Sequence, residues 1–141
     1  MASVAVIVCI FAGQGFGESP GDEKNLKQLC EDDAKDLYKK ETGKIKLEKI
    51  DLSYTTHYNK SLKNCFMVIK ITTDLNLIEP PTVENLSYDF YDVNVSTKIG
   101  SFLIQLDRKS GLETLLFCHV SKVECHSLLE WNKLIKPFME E

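Results

Sequence analysis

No run of basic residues in this chain is longer than two, and the formal net charge is −4, from 17 Lys+Arg against 21 Asp+Glu. Nucleic-acid binding needs a clustered positive footprint, so that function class is excluded. Attraction to an anionic membrane surface is disfavoured on the same grounds. No apolar stretch reaches the ~20 residues that a membrane-spanning helix needs. The chain has no H-E-x-x-H and no phosphate-binding glycine loop. No cofactor-binding signature stands in their place, and no motif names a reaction.

Charge is also missing from the start of the chain. The first 17 residues, MASVAVIVCIFAGQGFG, carry no charged side chain. Ala2 to Ala12 form an apolar run the length of a signal-peptide h-region. Gly15 and Gly17 supply the small residues of a cleavage site before Glu18, and GQGFG is read that way rather than as a glycine-rich loop. The missing Lys/Arg n-region departs from the usual signal. A lipoprotein anchor is disfavoured because Val8 precedes Cys9 where a small residue is needed. The expectation is a signal peptide over 1–17 and one domain over 18–141, periplasmic or secreted, with no stable membrane anchor.

What is present is ordinary globular composition, 43% hydrophobic and 27% charged, with length enough for one core. Removing residues 1–17 removes Cys9 and leaves an even set: Cys30, Cys65, Cys118 and Cys125. In a small exported chain that reads as a disulfide framework.

Leu26, Leu29, Cys30, Ala34, Leu37 and Tyr38 follow helical spacing, which predicts a helix over about 23–41. Asp22 is its expected N-cap and Gly43 its C′ residue. The acidic trio Glu31, Asp32 and Asp33 reads as solvated surface. The period then changes to two. Ile50, Leu52, Tyr54, Thr56 and Tyr58 alternate with polar residues, giving a strand, with a break expected near Glu48. NKSLKN is turn chemistry. Cys65 to Ile71 is apolar on both faces, which suggests a central strand. Pro80 and Pro81 place a loop in DLNLIEPPT. Further strands are expected at 84–93, 98–106 and 112–120. Ser127-Leu128-Leu129-Glu130 is a capping box opening a second helix, with a stripe of Leu128, Trp131, Leu134, Ile135 and Phe138. Pro137 should end or bend that helix. The order excludes a doubly wound parallel sheet. It predicts an α+β fold: one antiparallel sheet of about 4–5 strands, a helix at each end of the chain, and two disulfides.

The hairpin HYNKSLKNCFMVI invites a Cys/His reading. With the turn spanning Asn59 to Asn64, Tyr58 pairs with Cys65 and His57 with Phe66. Paired residues share a face, so His57 and Cys65 fall on opposite faces and do not form a nucleophile–base pair. His57 is expected at a solvent face or edge. Cys65 faces the first helix, so Cys30–Cys65 should clip helix to sheet. By chain-entropy reasoning a loop of this length is worth ~3–4 kcal/mol. Cys118 and Cys125 are left to hold the corner between the last strand and the second helix. The rival at that corner is zinc, since CHVSKVECH gathers Cys118, His119, Cys125 and His126. The spacing is not a knuckle pattern, because six residues separate the cysteines. His126 also suits a hydrophobic staple toward Trp131. Three sequons occur, at Asn59, Asn85 and Asn94.

The elements HYNKSLKNCF, YDVNVSTKIGSFL and CHVSKVEC, followed by a closing helix, make residues 30–139 resemble a group of small uncharacterised exported bacterial proteins. The resemblance implies an envelope location and structural cysteines, and supplies no catalytic residue. The functional expectation is a non-enzymatic binding or interaction module, meeting another envelope protein, with Tyr54, Tyr88, Phe90 and Tyr91 as candidate binding-face aromatics. The alternative is a metal-binding or hydrolytic protein using Cys118, His119, Cys125 and His126.

Overall fold

The computed structural model describes residues 20–45, 49–74 and 82–140. The expected signal segment, the break near Glu48 and most of the Pro80–Pro81 loop lie outside these residues. A long helix, α1 (Pro20–Thr42), leads into a meander of β1 (Ile50–Asn59), β2 (Asn64–Asp74), β3 (Val83–Asp92), β4 (Thr97–Asp107), β5 (Leu112–Val120) and β6 (Val123–Glu124), and α2 (Leu128–Met139) follows. The sheet is antiparallel throughout, with spatial order equal to chain order. It has six strands rather than four or five. The extra one, β6, is two residues long, too short for any periodicity to announce it.

α1 starts earlier than its pattern suggested. Pro20 suits a first turn because its missing N–H needs no partner there. Asp22 therefore sits inside the first turn, beside Glu23, where carboxylates favour the helix dipole. Cys30, Ala34 and Leu37 form the buried stripe, while Leu29, assigned to that stripe from the sequence, is 57% exposed. The stripe packs on Tyr58, Cys65, Met67, Ile69, Tyr91 and Val93.

The opposite face of the sheet holds a second core. Phe66, Val68, Phe90, Phe102, Cys118 and Val120 cluster there with Cys125 and Trp131. Phe138 of α2 meets Phe66 and Phe90 edge-on, with centroids 5.2 and 5.5 Å away. β2 thus contributes alternate residues to two cores, which explains its unbroken apolar run. At Gly100 the Trp131 ring of α2 lies close against the sheet backbone. A Cβ there would lie 3.2 Å from the Trp131 ring and 3.0 Å from the His119 carbonyl.

α2 is closed at both ends. Ser127 Oγ accepts from the Glu130 N–H at 3.2 Å, and Glu130 reaches back to the His126 N–H at 2.8 Å. Pro137 neither ends the helix nor sits at its boundary, since α2 continues to Met139. Its last turn leaves carbonyls without helical partners. Asn59, 2% exposed, donates from Nδ2 to the carbonyls of Pro137 and Phe138 at 3.0 and 3.3 Å. The Asn59 Oδ1 accepts the Leu62 N–H at 2.8 Å. One side chain therefore shapes the β1–β2 turn and caps α2.

Two stability outcomes follow, both read by urea unfolding. Asn59→Ala leaves part-buried carbonyls and an N–H without this partner and should cost about 1–3 kcal/mol. Gly100→Ala forces Trp131 away from the sheet and should cost about 1–3 kcal/mol. An unchanged midpoint in either variant would contradict the corresponding packing.

Candidate functional site

The β1–β2 register is Tyr58 opposite Cys65 and His57 opposite Phe66. Cys65 joins the α1-side core and is bonded to Cys30. His57 points to the α2 side, so the structure separates the two reactive groups of the hairpin. His57 differs from expectation in one respect. It is half-buried rather than a solvent-face residue, and its Nε2 is buried with no hydrogen-bond partner. The reason is α2, which crosses over the end of β1 and covers part of the edge.

The chemistry-bearing residues of the C-terminal third meet at one corner. Cys118 and Cys125 are bonded to each other and buried, at 6% and 3% exposure. The Cys125 N–H donates to the Cys118 carbonyl at 3.1 Å. His119 then pairs with Glu124 and Val120 with Val123. The disulfide is thus one rung of a tight antiparallel hairpin, turned by Ser121 at φ 54°. His119 and His126 are exposed and line an open depression with Phe117, Glu124 and the disulfide. A zinc site here needs the cysteines as thiolates, so the disulfide and that site are mutually exclusive. Among the described residues, no cluster of three or more His, Cys, Asp or Glu side chains is placed to hold a metal ion. The staple proposed for His126 is also absent. Its side chain is exposed, and Trp131 packs instead against Phe102, centroids 5.9 Å apart.

The four candidate aromatics divide. Phe90 and Tyr91 are core residues at 0% and 5% exposure, which removes them from any binding face. Tyr88 is half-buried, tilted against Phe102 at 5.9 Å. Tyr54 is 37% exposed and stacks on Tyr38 at 4.4 Å. Among the sequons, Asn59 is buried as a cap, and Asn94, though exposed, uses its Oδ1 to accept the Cys65 N–H at 3.0 Å.

Two features escaped the sequence reading. Arg108 bridges Glu84 and Asp74 at 2.5 and 3.4 Å across the far end of the sheet. No local pattern marks that triad, because its members come from the end of β2, the start of β3 and the turn after β4. The second is an apolar edge. Leu112, Leu116 and Phe117 are 63%, 50% and 47% exposed on β5. The run LETLLF was legible, but its position at an edge was not.

Two groups have strongly displaced pKa values. The Lys60 ammonium, 2.8 Å from Glu23, together with Lys27, lowers that carboxyl to about 2. This bridge pins the start of α1 to the β1–β2 turn. Burial, then the charges of Asp89 and Glu41, pushes the Tyr91 phenol up to about 12 from 10.0. The folded pKa is raised, so the stability it carries is complete below pH 10 and is lost as pH climbs through about 12. Tyr91→Phe should flatten the alkaline loss of stability in that window and delete the last phenol seen in a phenolate absorbance titration. A titration in which Tyr91→Phe deletes an early-ionising phenol would contradict this burial.

No described helix is long and apolar enough to cross a membrane. Comparison of the chain with family models, with curated proteins and with solved structures finds no match.

Proposed function

We propose that the chain is an exported, disulfide-stabilised binding module of the bacterial envelope, periplasmic or secreted, that acts by contact rather than by catalysis. One observation carries this reading. Cys30–Cys65 and Cys118–Cys125 use every cysteine beyond residue 17, and each is built into a different core on a different face of the sheet. Disulfides placed this way suit an oxidising compartment. The uncharged, apolar N-terminus and the resemblance to small exported bacterial proteins favour the same location. Exposed apolar side chains gathered on β5 are the kind of surface that contact partners use. The chemical class of partner is another envelope protein.

The test is the intact mass of protein recovered from the periplasm after expression with its own N-terminus. The expected mass lacks about 17 residues and the four hydrogens of two disulfides. Full-length protein with free thiols and bound zinc would overturn the reading in favour of a metal site at Cys118, His119, Cys125 and His126.

A further inference from the structure

The two edges of the sheet are unequal. β1 exposes Asp51, Ser53 and Thr55, polar residues that discourage pairing with another chain. β5 is different. Its described outer neighbour, β6, pairs only with His119 and Val120. On its outer side, away from β4, Leu112 to Phe117 has no strand beside it among the described residues. In an antiparallel ladder alternate residues send both N–H and C=O to the same side, so this stretch presents a row of unused backbone groups. It carries no Lys and no Pro, the usual edge guards. A bulge between Ile104 and Leu103 leaves Leu116 as the additional residue of β5, which limits regular pairing to the start of the strand.

Such an edge accepts only an extended strand, and the sequence of β5 complements itself. A two-fold axis through Thr114, perpendicular to the sheet, sets Leu112 opposite the second copy's Leu116. It sets Glu113 opposite Leu115 and Thr114 opposite its own copy. Leu112 then meets Leu116, Thr meets Thr, and the one carboxylate faces Leu115 and not its twin, which would repel it. No other surface is required, because a two-fold contact uses the same patch twice.

We infer that β5 pairs antiparallel with β5 of a second copy over Leu112–Leu116, joining two six-stranded sheets into one. The inference rests on the binding-module reading in one respect only, by naming a second copy as what the module binds. Short pairing of this kind is a weak, concentration-dependent contact.

The experiment is sedimentation equilibrium of the oxidised, processed chain up to about 1 mM. The average mass should rise from one chain toward two. Leu116→Lys should weaken association by about tenfold or more, and Leu112→Lys with Leu116→Lys should abolish it by setting ammonium against ammonium. Leu112→Glu with Leu116→Lys should restore it, since the opposed pairs become ion pairs. Both positions are at least half exposed, so folding is preserved, and the melting temperature of each variant checks this. A wild-type chain that stays monomeric throughout overturns the inference, even if an unrelated extended peptide binds it. So do two double variants that associate equally. Either failure leaves the exported-module reading standing, because that reading is decided by the mass of the processed chain.

Discussion

Both cores depend on one register. The β1–β2 turn runs from Asn59 to Asn64 and sets Tyr58 opposite Cys65 and His57 opposite Phe66. Since a one-residue slip would exchange the faces of a strand, this turn decides that Cys65 meets α1 and that Phe66 meets α2. The register is held from three sides. Asn59 binds the end of α2, Lys60 binds Glu23 at the start of α1, and Cys65 is bonded to Cys30. The turn is therefore a junction between the two helices as much as a connection between two strands.

The two disulfides do different work. Cys30–Cys65 closes a separation of 35 residues and fixes α1 to the sheet, whereas Cys118–Cys125 closes a separation of 7 within one hairpin. In the chain-entropy account the longer loop constrains the unfolded chain more. The shorter bond acts locally. It holds the β5–β6 hairpin against α2, with Trp131 under Gly100, and so keeps β6 over the last residues of β5 while the earlier ones remain open. The exposed apolar edge and the buried corner are consequences of the same arrangement.

Much of this was legible from residue pattern. The hairpin register followed from turn chemistry at NKSLKN, and the two-sided burial of β2 from its unbroken apolar run. The capping box at Ser127 was readable because its two partners lie three residues apart. Other features depended on residues remote in the chain. Pro137 was expected to end or bend α2, yet the helix runs past it to Met139, with Asn59 supplying hydrogen bonds from 78 and 79 residues away. His57 was assigned to a solvent face because alternation gives the side of a strand but not what covers it. Phe90 and Tyr91 looked equally suited to a binding surface or a core for the same reason.

The sequence by itself determined the periodicities, and hence the order helix, strands, helix, the antiparallel hairpins and the face of the sheet from which Cys65 projects. Those are local properties, set by side-chain alternation and turn chemistry over a few residues. Only the tertiary structure decided which faces are covered and which edge is left open. That outcome depends on where two helices, far apart in the chain, come to rest on the sheet. α1 lies over β1 and β2, α2 crosses between β1 and β5 on the other face, and β6 is too short to cover more than the end of β5. The exposure of Leu112, Leu116 and Phe117 is a result of that placement, which no window of sequence contains.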